Sequence, residues 1–380
     1  MIYKSEEKMH KMGPIRKILF LIPSSDLIPS GKVRVLNYIP YFREHSIRCK
    51  VLNYHHPAIL KYCDRLIING GILSLLKLLL KGFLRYVNIF YHKWVEINVF
   101  VSARRYDVIL IQWLPLPRHF IQKLLRKTPN LVFDYDDAVF LGSEDNTNFI
   151  LTNSKIVIAG NQYLKDYANK FNKNVVVIPS CIPLNKFDVY REEKQNIINS
   201  KVVIGWIGSQ STLHHIEILK DVFNILGEKY PLQLRLIGIG NAKCPMVGEG
   251  KLEIITVPYY NEEDMINYVF SFDIGINPLK ENGFAHGKTS LKTLIYMAAS
   301  LPVISSPIGG NLEVVADGVN GFFAATPEEW LKTLALLIED RSLRKEMGKN
   351  GLSLVREKYT TEHCFELLHK ALASYLMDRE

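Results

Sequence analysis

Short apolar runs alternate with helix-spaced stretches along the whole chain, and the alternation restarts once. The first run, Lys17 to Pro23, has a buried-strand pattern. It gives way to a polar loop, Ser24 to Gly31, and a helical stretch, Val33 to Glu44. A second strand is predicted over Arg48 to Tyr54, with further strands over 108–112, 131–133, 156–159 and 175–178. Helices are predicted over 118–127 and 162–171. Residues 186–200 are polar and charged, as a linker would be. Lys201 to Gly208 then reads as a new strand entering a Gly/Ser loop, with a helix from about Leu213. Strands over 232–237, 252–257, 273–276 and 302–305 follow. Strand, glycine loop, helix, strand is the opening of a parallel, doubly wound sheet. The predicted fold class is therefore α/β, with two Rossmann-like domains facing across a cleft: residues 1–185, the linker 186–200, and residues 201–360.

Composition narrows the class. Of the 380 residues, 48% are hydrophobic and 22% charged, which is globular rather than disordered. The five cysteines form no CxxC pair, which excludes a disulfide framework and suits a reducing compartment. The eleven histidines include no HExxH or HxH spacing, and no metal is expected. The first seventeen residues do not read as a signal peptide, and no apolar stretch approaches the length of a membrane span. The expected location is cytoplasmic, with peripheral attachment to the inner face of a membrane as an option. That option rests on residues 66–100, where apolar positions have helical spacing and Lys77, Lys81 and Arg85 recur on another side, as in a basic helix on an anionic membrane. Net charge is +9, which suits anionic membrane or phosphorylated substrates; no nucleic-acid module is visible, so nucleic acid is not an expected partner.

Local motifs place candidate chemistry. Gly205 to Thr212 (GWIGSQST) puts Gly208, Ser209, Ser211 and Thr212 after a strand, where backbone N–H groups and hydroxyls meet an anion or cap a helix. Gly287-Lys288-Thr289-Ser290 is similar to the tail of a P-loop. Asn282 stands where the first glycine is required, so the NTPase reading is excluded. What remains is a Gly287 that opens a helix, with Lys288 and, one turn deeper, Lys292 available to a phosphate. In the first half, Phe133 to Ala138 (FDYDDA) ends a strand on the side where open α/β sheets bind ligands. Asp136 or Asp137 is placed to orient or deprotonate a hydroxyl, or to cap the next helix. Arg34, following Gly31, is a phosphate contact or a solvated helix residue. Asn161 is a helix cap that also reaches ligand, or a cap alone.

The stretch from about Val203 to Tyr359 resembles the donor-binding half of family 4 retaining glycosyltransferases of the GT-B fold, the group 1 type. The resemblance rests on Asp273 to Leu279 (DIGINPL), Tyr296 to Val315 (YMAASLPVISSPIGGNLEVV) and Asp317 to Phe322 (DGVNGF), in that order. Over the first half it thins to the first glycine loop, DYDDA and Ile158 to Leu164 (IAGNQYL). It implies an enzyme that moves a sugar with retention from a nucleoside-diphosphate sugar to a hydroxyl of a glycan or lipid-linked glycan. The nucleotide sugar is a substrate, and no cofactor is implied. On the donor side it implies Gly208, Ser209, Ser211, Thr212, Lys288, Thr289, Lys292, Gly309, Gly310 and Glu313; the residues themselves offer Gly31, Arg34 and Asn161 on the acceptor side and, as catalytic groups, Lys288 with Asp136 and Asp137, Asp136 standing where many family members have a histidine. It also implies that residues 361–380 form a helix crossing back to the first domain. The chain departs from the family at its E-x7-E carboxylates, which are replaced by Gly287 and Ile295. That makes this a divergent branch, leaves Glu313 to bind ribose, and keeps two alternatives in view: an epimerase of the same architecture, or a sugar-nucleotide-binding subunit without turnover.

Overall fold

The computed structural model describes residues 15–24, 29–56, 72–128, 130–193, 201–246, 251–258 and 261–377. It divides into two compact units. One is the chain up to Ile178 together with the stretch from Phe365, and the other is Pro179–Cys364. Each holds a parallel sheet of six strands.

In the first unit the strands are β1 (Lys17–Ile22), β2 (Arg48–Asn53), β3 (Val108–Gln112), β4 (Leu131–Tyr135), β5 (Ile156–Ala159) and β6 (Val175–Val177), in the order β2-β1-β3-β4-β5-β6. Every position of β3, β4 and β5 is buried, as expected of parallel strands covered on both faces. The chain leaves β1 for β2, then returns across the sheet to β3, so the direction of winding reverses between β1 and β3. β4 runs two residues beyond its predicted end and pairs Asp134 with Gln112. The helix Thr361–Met377 seats Phe365 edge-on against Phe42, with ring centroids 4.9 Å apart, and stacks it on Tyr41 at 5.4 Å.

The helix Ile72–Ser102 fills most of the segment expected to be amphipathic; residues 66–71 lie outside the described residues. It packs on the first unit through Val95 and Val99. Among the described residues no helix is long and apolar enough to cross a membrane.

The second unit contains β7 (Val202–Ile207), β8 (Leu232–Ile237), β9 (Leu252–Val257), β10 (Ile274–Asn277), β11 (Val303–Ser305) and β12 (Gly321–Phe323), in the order β12-β11-β10-β7-β8-β9. Here the winding reverses between β7 and β10. The buried helix Leu291–Ala298 lies tight on the sheet: a Cβ on Gly275 of β10 would sit 2.4 Å from the Tyr296 ring. The Tyr296 hydroxyl accepts from the Ile207 N–H at 2.9 Å, tying this helix to the end of β7.

Three features differ from the sequence reading. The helix expected from Leu213 is instead two 3-10 turns, Gln210–His215 and Glu217–Leu219, before the α-helix Lys220–Lys229. The cause is spacing: Leu213, Ile216 and Leu219 are buried at intervals of three, the 3-10 period. Residues 186–193 of the expected linker belong to a helix, Leu184–Glu193, because Leu184 and Phe187 are core residues of the second unit; residues 194–200 lie outside the described residues. The strand β12, three residues long, has too little pattern to announce itself.

Candidate functional site

At the reversal point of the second sheet, the loop after β7 and the loop after β10 come together. The Lys280 N–H donates to His215 Nδ1 at 2.9 Å, which joins the first 3-10 turn to the segment following β10. Gly208 leads into that turn; a Cβ there would overlap the Trp206 ring at 2.2 Å. Ser209, Ser211 and Thr212 then gather their hydroxyls. Ser209 Oγ lies 2.9 Å from Ser211 Oγ, and the Ser209 N–H donates to Thr212 Oγ1 at 3.1 Å.

The segment Gly283–Ala298 supplies the other wall. A short helix, Gly283–His286, ends at Gly287, and the next helix begins only at Leu291. The expectation that Gly287 opens a helix is therefore corrected: Gly287 is buried and closes one, its N–H donating to the Phe284 carbonyl. Ser290 turns the chain with a left-handed backbone, φ 59°. That strained turn is held by a buried polar network. Ser290 Oγ donates to Asn311 Oδ1 at 2.7 Å, Asn277 Nδ2 donates to the same oxygen at 3.1 Å, and Asn311 Nδ2 donates to the Ser306 carbonyl at 3.0 Å. Thr293 and Ser305 complete it. Networks satisfied in this way fix loops rigidly. The Gly309-Gly310 turn closes over the segment, with the Gly310 N–H donating to the Lys288 carbonyl at 2.8 Å. Gly309 has φ 60°, and a Cβ on it would lie 2.6 Å from the Ala285 carbonyl oxygen, so this close approach requires glycine. Thr289 pairs its hydroxyl with Ser180 at 2.8 Å. Glu313 is exposed on the short helix Asn311–Val314, and Ile295, at a position where the resembled family has a carboxylate, is buried.

Electrostatics single out this place. His215 is buried, and burial together with His214, Lys292, Lys288 and Lys280 pushes its pKa down to about 4, so the ring is neutral and its Nδ1 lone pair is free to accept from Lys280. Lys292 is held at about 7 by burial and by Lys288, and its Nζ rests 4.5 Å from the centroid of the Trp206 ring. No carboxylate among the described residues pairs with Lys292. The charges of Lys280, Lys288 and Lys292 all act on this one imidazole, which lies beside a hydroxyl-rich turn. Such a field binds a polyanion. Lys280 and His215 were not singled out by sequence reasoning, since neither carries a motif.

The candidates of the first half are more occupied. Arg34 is buried, with its guanidinium forked onto Asp134: Nε lies 3.0 and 2.8 Å from the two carboxylate oxygens, and Nη1 donates to the Ile178 carbonyl at 2.8 Å. The expectation of a phosphate contact is corrected here, because β4 extends far enough to place Asp134 opposite this arginine. Asn161 is buried and accepts from the Leu164 N–H at 2.9 Å, acting as a helix cap. Gly31 is buried, close to the Ser24 carbonyl. Asp136 accepts from Ser30 Oγ at 2.7 Å through both oxygens, and Gln112 Nε2 donates to Ser30 Oγ. Asp137 is half-buried next to it.

Comparison with known proteins bears on the fold. Residues 201–340 match the family model for glycosyl transferases group 1. The chain is 26% identical over 200 residues to the capsular polysaccharide biosynthesis glycosyltransferase CapM of Staphylococcus aureus, covering 50% of each protein. It is 26% identical over 224 residues to the uncharacterized glycosyltransferase MJ1178 of Methanocaldococcus jannaschii, covering 57% of this chain and 58% of that one. The chain therefore spans about half the length of the curated relatives it matches. Among solved structures it resembles Anabaena HepE in complex with UDP and glucose, with a TM-score of 0.64 and 17% identity over 95% of this chain and 100% of that one. It also resembles the sucrose-phosphate synthase of Thermosynechococcus elongatus, with a TM-score of 0.67 and 15% identity over 93% and 98%. These likenesses show the fold: the two-domain α/β arrangement of GT-B glycosyltransferases.

Proposed function

We propose that this protein is a glycosyltransferase that takes a sugar from a nucleoside-diphosphate sugar and passes it, with retention, to a hydroxyl of a glycan or lipid-linked glycan. The observation that carries the proposal is the meeting of the hydroxyl-rich turn after β7 with the segment after β10 at the reversal point of the second sheet, where the Lys280 N–H donates to His215 and the Lys292 ammonium lies 4.5 Å from the Trp206 ring centroid. Open α/β sheets bind ligands at such a point. The group 1 match over 201–340 covers this region, and one solved neighbour holds UDP.

In this reading the diphosphate lies among the hydroxyls of Ser209, Ser211 and Thr212 and the ammonium groups of Lys288 and Lys292. As the bond from the anomeric carbon to the diphosphate oxygen lengthens, negative charge grows on that oxygen. Cations already fixed in place stabilise it without reorganising. Glu313 takes the ribose hydroxyls, and Gly309 and Gly310 let the backbone approach. Asp136, aligned by Ser30 and Gln112, or Asp137, orients the acceptor hydroxyl or receives its proton. No covalent nucleophile is invoked, and the nucleotide sugar is the only small-molecule partner required.

One departure favours a second reading. Gly287 and Ile295 stand where the resembled family places carboxylates. A sugar-nucleotide-binding subunit without turnover is consistent with their loss. A panel of nucleotide sugars assayed with purified protein separates the two: transfer or donor hydrolysis marks the enzyme, and binding without turnover marks the subunit. For the enzyme, Lys288→Ala is expected to lower turnover by about 100-fold or more while leaving the melting temperature within a few degrees of wild type. Unchanged turnover would remove Lys288 from the site.

A further inference from the structure

The helix Ile72–Ser102 presents an apolar seam to solvent, and the repeat of that seam specifies its partner. Leu80, Phe83, Val87, Phe90, Trp94, Ile97 and Val101 are all exposed, Phe83 by 64% and Phe90 by 71%. Their spacing is 3, 4, 3, 4, 3, 4, the a and d positions of a heptad, and the series continues backwards in sequence through Leu76 and Leu73. The opposite face, through Val95 and Val99, is the one buried in the unit. Tyr86 and Ile89 lie exposed alongside.

From this geometry we infer that the seam is a self-association surface: two copies of the chain pair through this helix as a short coiled coil. Counting a large apolar side chain at about 150–250 Å², the stripe offers on the order of 1,000 Å² per copy. That exceeds the roughly 300–600 Å² of the largest patch on an ordinary monomer and reaches the roughly 800 Å² per partner of a standard interface. The period chooses the occupant. A lipid surface accepts any apolar arc, whereas an unbroken 3.5-residue repeat matches a facing helix that supercoils with it. Charge points the same way. By sequence Lys77 falls at an e position of the heptad and Lys81 and Arg85 at b and f, and the flanking Lys93 is paired with Glu96 at 3.0 Å. Lys77, Lys81 and Arg85 therefore drift away from the seam along the helix, and Lys93 is engaged by Glu96, so the expected attachment to an anionic membrane through residues 66–100 is the less favoured use of this face.

Sedimentation velocity on the full chain tests the inference. The wild type is expected to be a dimer at micromolar concentration. The double variant Phe83→Glu/Phe90→Glu is expected to dissociate about 100-fold more readily with unchanged circular dichroism, since both side chains stand in solvent in the single chain. A monomeric wild type, or a dimer indifferent to both glutamates, would overturn the assignment. So would a monomer that floats with phosphatidylglycerol-containing vesicles and loses that binding in the double variant, which would give the face to lipid.

Discussion

Each half of the chain holds a cation against its own interior near the carboxyl ends of its parallel strands, Arg34 buried and Lys292 half-buried, and the two are treated oppositely. In the first unit Arg34 is enclosed with Asp134 in a forked ion pair, and a backbone carbonyl takes the remaining Nη1 donor. In the second, Lys292 is lodged over an indole ring with a second lysine nearby and no carboxylate paired to it among the described residues. A satisfied ion pair is internal architecture. A lysine such as Lys292, with a second lysine beside it and no carboxylate paired to it, is costly to the folded protein on its own and becomes favourable when an anion arrives. The difference is the physical ground for placing the diphosphate in the second unit.

Three substitutions or titrations test this contrast. The largest expected effect is on stability, in the first unit. Arg34→Met leaves Asp134 buried without its cation and is expected to cost about 3–5 kcal/mol in urea denaturation, with UDP affinity per folded molecule unchanged. A variant that binds UDP poorly yet unfolds like wild type would move Arg34 back into the ligand site. Next, Lys292→Met is expected to weaken UDP binding by about 10–100-fold in calorimetry while raising the apoprotein's melting temperature. Loss of both binding and stability would mean that Lys292 is structural.

The third test is a pH dependence. The folded apoprotein holds the Lys292 ammonium at about 7, against an ordinary 10.5. Between those values the unfolded chain binds more protons, so stability rises with pH across that window. Wild type is expected to show the rise and Lys292→Met to lack it. UDP binding near pH 8 is expected to take up a proton, seen as a dependence of the calorimetric heat on buffer ionisation enthalpy. A binding heat identical in phosphate and Tris would count against Lys292 as a diphosphate contact.

The sequence by itself determined the sheets. Continuous runs such as Val108 to Gln112 and Lys201 to Gly208 have only one economical use in a parallel sheet, burial on both faces, and the restart after residue 200 shows that there are two of them. The small-residue loop after β7 and the lysines at 288 and 292 were also visible, because glycine, serine and lysine at strand ends carry their chemistry locally. Tertiary structure alone decided which charges meet. Arg34 and Asp134 are a hundred residues apart, and only the extension of β4 against β3 sets one opposite the other. His215 and Lys280 acquire a role only because winding reverses between β7 and β10. The start of the helix at Leu291, in place of Gly287, is imposed by Asn311 gripping Ser290 from twenty-one residues away. Burial of apolar side chains follows a short-range period that one chain displays on its face, whereas an electrostatic field is a sum over distances that exist only once the chain has folded.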